Sequence, residues 1–171
     1  MGGEPGAEVM RLLGTFGWWA LVATLIITPA RLLFPSLAPL VRARRLVGLW
    51  VSAYVVLHLL AYWVFVLGLD TSVLWADISE KPYAIAGAAG FMALLPLTIT
   101  STRGWMRRLG KDWKRLHRLV YVAAFAVWVH IFWQVRSDYA EAILYGGILV
   151  LLAVVRLPVM RPFVRGLFAR N

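Results

Sequence analysis

Five apolar runs, each close to the length that crosses a bilayer and each cut from the next by a short polar or charged segment, set the limits on this chain. They lie at about residues 12–33, 46–67, 83–100, 116–134 and 140–157. A helix needs roughly 20 apolar residues to cross the ~30 Å hydrocarbon layer, where the backbone must satisfy its own hydrogen bonds. The 171 residues therefore read as one all-α membrane domain, a transmembrane helix bundle of about five spans. Hydrophobic residues make up 61% of the chain and charged ones 15%, and the charges cluster between the runs.

Their distribution sets the orientation. Of 18 lysines and arginines, only Arg11, Lys81 and Arg136 fall in one set of alternate loops, while the other set holds the rest and a single acid, Asp112. This asymmetry predicts a cytoplasmic C-terminus, and it accounts for the net charge of +10 without nucleic acid. The start, MGGEPGAEVM, lacks the basic region of a cleavable signal peptide. It would lie outside, an unusual place for an N-terminus with no preceding span, so a further helix upstream is expected. With no cysteine, the chain excludes disulfides, thiolate-bound iron–sulfur clusters, covalently attached c-type haem and a cysteine nucleophile. Metal chemistry is left to histidine or oxygen ligands.

All three histidines, His58, His117 and His130, lie inside apolar runs. An imidazole in lipid must find a partner, and an intramembrane ionisable residue points to function. His130 lies about 20 Å along the helix from His117, and His58 about 21 Å beyond Arg44. His58 and His130 thus sit at the same depth, about two-thirds of the way from the basic side, on helices running in the same direction. Two level histidines suit axial ligation of haem b and a six-coordinate iron for electron transfer. Zinc would want a third or fourth ligand at that depth; a metal-free, hydrogen-bonded histidine pair is the other reading. His117, level with Arg44, is either the ligand of a second, inner haem or an interfacial histidine bonded to a carbonyl or propionate. An ideal helix leaves it about 140° around from His130, so inner ligation calls for a distorted helix start.

Small residues leave room at the same places. Gly48 and Ser52 follow Arg44 by one and two turns, and Ala126 and Ala123 precede His130 likewise, making space for helix packing or for a planar cofactor. GAAG at Gly87–Gly90 follows no strand and reads as helix packing, not phosphate binding. Pro96 predicts a kink whose freed carbonyls the hydroxyls of Thr98 and Thr100 can reach. The basic loop from Arg103 to Arg118 anchors at anionic headgroups, and it could also hold propionates or dock an acidic redox partner. Trp75 reads as an interfacial aromatic. Neither an internal repeat nor a dinucleotide-binding GxGxxG is evident.

At the histidines the chain resembles a known family. The runs LIITPARLLF, RARRLVGLWVSAYVVLHLLAY and LTITSTRGWMRRLGKDWKRLHRLVYVAAFAVWVHIFW are similar to the haem-binding membrane subunits of bacterial methionine sulfoxide reductase systems, the MsrQ (YedZ) family, within the ferric-reductase-like transmembrane superfamily. The resemblance implies a six-span bacterial inner-membrane protein with its N-terminus in the cytoplasm. Its role would be to pass electrons from quinone or a cytosolic flavin reductase to MsrP, a periplasmic molybdopterin enzyme that reduces methionine sulfoxide. In the superfamily two helices each carry two histidines around two stacked haems. By that pattern His58 and His130 hold the outer haem b and His117 stands at an inner position, with Arg44 where the fourth histidine would be. FMN is associated with the family, and no stretch of this sequence assigns its site.

Two other classes compete. A ferric reductase or other b-type electron relay would share the bundle and depend on a separate flavin and nicotinamide partner. A haem-free transporter or assembly scaffold would call for intramembrane acids or helices broken at mid-depth, and Pro96 is the one such feature.

Overall fold

The computed structural model describes residues 4–157. Helix α1 (Pro5–Leu33) is followed by a 3-10 turn and α2 (Leu40–Ala61), which continues into a π-helical turn (Tyr62–Val66). Then come α3 (Thr71–Glu80), α4 (Pro82–Ile99), the short α5 (Arg103–Leu109) and α6 (Lys111–Leu116), α7 (Leu119–Gln134) and α8 (Ala140–Val154). No strand occurs among the described residues.

Four helical stretches are long and apolar enough to span a membrane: Pro5–Arg31, Leu40–Val66, Pro82–Ile99 and Lys111–Gln134. The fifth apolar helix, α8, is 15 residues long. The outward faces carry large apolar side chains, among them Trp50, Met92, Phe125 and Val150, each more than half exposed. Apolar surface on that scale is stable only against lipid, so this is a multi-pass membrane protein.

Two antiparallel pairs, α1 with α2 and α4 with α7, make up the bundle, and α8 packs against α7 and α1. The buried core runs through Trp18, Leu21, Val22 and Leu25 of α1, Val51 of α2, Leu94 and Leu97 of α4, and Val120, Ala123 and Ala124 of α7. Tyr145 of α8 stacks on Trp18, with ring centroids 4.7 Å apart. Between the two pairs the packing is sparse, and α2 and α7, which carry His58 and His130, make at most marginal backbone contact.

Several boundaries differ from the expected spans. The first two helices begin at Pro5 and Leu40, well before the apolar runs. Proline at N1 suits a helix start, because its missing N–H would have no partner there in any case. The expected outer loop contains α3, whose N-cap Asp70 accepts hydrogen bonds from the backbone N–H groups of Ser72 and Val73. The fourth span is broken: α6 ends at Leu116, and His117 and Arg118 form a turn before α7 starts.

The prolines leave carbonyls without a helical donor. Thr98 and Thr100 hydroxyls do donate to carbonyls, but to those of Leu94 and Pro96, whereas Pro96 frees the carbonyl of Met92 four residues back. Pro29 likewise frees the carbonyl of Leu25, and Arg156 at the end of α8 donates to that oxygen. Arg156 also donates to Leu152 O at 2.7 Å and lies over the Tyr121 ring, 5.5 Å from its centroid.

Candidate cofactor site

His58 and His130 meet across the gap between the two helix pairs, with ring centroids 6.4 Å apart and ring planes at 88°. Each ring is held from behind in the same way. The Nδ1 of His58 is 2.8 Å from the carbonyl oxygen of Met10 on α1, and that of His130 is 2.7 Å from the carbonyl oxygen of Tyr83 on α4. A carbonyl can only accept, so both rings carry their proton on Nδ1 and keep a lone pair on Nε2, the nitrogen free to bind a metal. A glycine stands four residues beyond each carbonyl. A Cβ on Gly14 would lie 3.0 Å from the His58 Nδ1, and one on Gly87 would lie 2.8 Å from the His130 Nδ1.

Among the described residues no group of three or more histidine, cysteine, aspartate or glutamate side chains could hold a metal ion. The two Nε2 atoms could hold a metal whose other ligands come with a cofactor.

His117 is placed apart from that pair. Its ring stacks on Trp113, centroids 3.8 Å apart, and its Nδ1 lies 3.0 Å from the Trp113 carbonyl, while Nε2 is shut away from solvent without a well-formed hydrogen bond. It lines a cavity of about 1190 Å³ at the basic end, together with Arg44, Gly48 and Ser52. Among the described residues, seven cationic side chains and no acid line that cavity. Arg44 donates to Thr28 Oγ1 at 2.9 Å, and Ser52 Oγ lies 2.5 Å from Thr98 Oγ1, tying α2 to α4. The side of α2 expected to be open is open: a Cβ at Gly48 would touch nothing within 4 Å. The small residues of α7 serve packing instead. Ala123 is fully buried, and Ala126 would be 3.6 Å from a Cβ on Gly90. Of the GAAG stretch, Gly90 packs against Val127 as a packing motif should, whereas Gly87 backs a histidine.

At the opposite end α3 is latched to the bundle. The Tyr62 hydroxyl donates to the Asp77 carboxylate, and Lys81 Nζ lies 2.6 Å from the other Asp77 oxygen. Only 6% of Asp77 is exposed. The bonds from Lys81 and Tyr62 hold its carboxyl below the ordinary carboxylate range, and the same carboxylate raises Lys81. Asp70 is also lowered, by the Ser72 hydroxyl and the α3 N-terminal amides. Lys81 directly precedes Pro82 and Tyr83, so this latch sets the start of the helix whose carbonyl holds His130. Trp75 on α3 is 66% exposed, as an interfacial aromatic would be.

The parts missing from the sequence reading are the two carbonyls, the two glycines behind the histidines, the latch and Arg156. One signal was present: His58 follows Gly14 by 44 residues and His130 follows Gly87 by 43.

Comparison with known proteins completes the picture. Residues 13–128 match the family described as ferric reductase like transmembrane component. The chain is 46% identical over 158 residues to the protein-methionine-sulfoxide reductase heme-binding subunit MsrQ of Rhodospirillum rubrum, covering 92% of this chain and 76% of the relative. With the protein of the same name from Caulobacter vibrioides it shares 43% identity over 157 residues, covering 91% and 74% respectively. No solved structure matches it.

Proposed function

The chain belongs to the ferric-reductase-like transmembrane family and, within it, to the MsrQ subunits, and from that premise we propose that it is a haem b electron carrier of the bacterial inner membrane. The observation that carries the proposal is the facing pair His58 and His130. With both Nδ1 atoms held back on main-chain carbonyls and the ring centroids 6.4 Å apart, the two rings would hold one metal ion between them. Haem, when bound, supplies reversible one-electron iron chemistry. The protein's part is to keep both Nε2 lone pairs aimed into the gap, to exclude water with apolar helices, and to fix the Nδ1 protons on the Met10 and Tyr83 carbonyls. A haem held by both His58 and His130 would favour electron transfer over oxygen binding.

The basic end is the cytoplasmic one in this proposal, so the His58–His130 site lies in the periplasmic half. Electrons arrive from quinone or a cytosolic flavin reductase and leave to an MsrP-like periplasmic molybdopterin reductase, where oxidised methionine is repaired. The basic cavity supports a second, inner site. His117 and Arg44 share it, Arg44 being placed to hold a propionate, and His117 sits at a helix break that relaxes the 140° offset from His130. The same cations suit the phosphate of FMN, which the family resemblance associates with these subunits.

Absorption spectra of the purified protein, oxidised and reduced, test the proposal. Wild type should show a low-spin b-type spectrum, and His58→Ala and His130→Ala should each lose it while still inserting. A wild-type low-spin spectrum in His58→Ala would refute the pairing. Arg44→Ala should be milder, since arginine can anchor a propionate but not ligate.

A further inference from the structure

In an α-helix every side chain leans toward the N-terminus, so residue i+4 covers the carbonyl of residue i. Removing that Cβ uncovers the carbonyl to a donor on a neighbouring helix. Among the described residues three places use such a notch. Gly14 uncovers Met10 O for His58, Gly87 uncovers Tyr83 O for His130, and Gly146 uncovers Ala142 O for Trp128 Nε1, which donates at 2.9 Å. A Cβ on Gly146 would lie 2.8 Å from Trp128 Nε1. The third notch seats a ring outside the histidine pair and shows what the device does in packing alone.

Resting on the haem reading above, we propose that Gly14 and Gly87 are positioning residues for the two axial histidines. Each notch lets an imidazole reach a main-chain oxygen that a side chain would otherwise screen. A helix carbonyl cannot rotate away, so the Nδ1–H tautomer and ring orientation are set by backbone, and Nε2 is fixed toward the gap before any ligand arrives. A hydrogen bond from Nδ1–H also makes the ligating nitrogen more basic, which favours the oxidised metal. The arrangement occurs once in each helix pair, so the two ligands are matched.

An alanine at either glycine would put a methyl carbon within 2.8–3.0 Å of Nδ1 and force the ring off its carbonyl. Gly87→Ala and Gly14→Ala are expected to bind haem about 10- to 100-fold more weakly, the range seen when an outer-shell partner of a ligand is lost. The haem they retain should have a more positive reduction potential. Gly146→Ala, equally crowded but against Trp128, should keep wild-type haem affinity and potential. Wild-type values in Gly87→Ala and Gly14→Ala, or an equal shift in Gly146→Ala, would overturn the positioning role. His130→Ala separates the two levels: if it keeps wild-type haem the axial pairing itself fails, whereas its loss of haem beside unaffected glycine variants sinks the notch proposal alone. Should both glycine variants fail to insert, ¹⁵N-histidine NMR of the reduced wild-type protein decides. Protonation at Nδ1 of His58 and His130 is expected, and an unprotonated Nδ1 at either would overturn the proposal.

Discussion

Arg156 lies just past the end of α8, and Pro29 explains the contact it makes with α1. Pro29 removes the N–H that would close the Leu25 carbonyl, and the Arg156 guanidinium reaches from α8 to that oxygen while also bonding Leu152 O. Replacing Arg156 by methionine keeps apolar bulk and removes both bonds and the contact with Tyr121. A hydrogen bond to a charged group contributes about 1.5–3 kcal/mol in soluble proteins, while polar contacts between membrane helices average about 0.6 with a maximum near 1.7. The Leu25 link should therefore be worth about 1–2 kcal/mol. Its origin makes a sharper prediction than its size: with Pro29→Ala the helix can close the Leu25 carbonyl itself, and losing Arg156 no longer orphans it. A double-mutant cycle of Pro29→Ala and Arg156→Met, read by detergent-induced unfolding in mixed micelles with tryptophan fluorescence, should give a coupling of about 1–2 kcal/mol, Arg156→Met being the more damaging with Pro29 present. Independent sites add to within about 0.5 kcal/mol. Additivity within that margin would refute the account.

His117→Ala should leave the spectrum of the His58–His130 site intact, because the ring stacks on Trp113 in a separate cavity. Loss of about half the haem would support an inner site, and loss of all of it from an inserted protein would argue against independent sites. The Asp77 latch gives a pH dependence. The folded-state pKa of Asp77 is lowered from the ordinary 3.8, so its contribution is present above about pH 4 and is lost as pH falls through the folded value. Lys81 is raised from 10.5, so its share is complete below about pH 10 and is lost only as pH rises through the folded value. Unfolding of wild type and Asp77→Asn from pH 3 to pH 9 should show a difference at neutral pH that shrinks toward the acid end. A constant difference across that range would refute the latch.

Much of the architecture was legible in one dimension. Lipid requires apolar runs of a set length, and each run became a helix. Axial rise is a property of a single helix, so counting residues sufficed to put His58 and His130 at one depth and Arg44 and His117 at another, and the rings do meet and the cavity does join the other two. Helical segments between the runs were missed, α3 and α5 among them, because polarity marked them only as loop. The break at His117–Arg118 was also hidden, since the apolar pattern continues straight through it.

Tertiary structure decided what each ring touches. A carbonyl has no sequence identity, and whether Met10 or Tyr83 presents its oxygen to a histidine depends on how α1 crosses α2 and α4 crosses α7. Gly14, Gly87, Gly90 and Gly146 look alike as small residues in apolar helices. Three of them uncover a carbonyl and Gly90 admits a valine, because what fills the missing Cβ belongs to the neighbouring helix. Arg156 met a carbonyl of α1 for the same reason: Pro29 fixed which oxygen lacked a donor, but only the packing of α8 against α1 brought the guanidinium to it. Depth, span and orientation are set by hydrophobic partition and charge, which each segment experiences alone; hydrogen-bond partners across helices are set by crossing geometry, which no segment contains by itself.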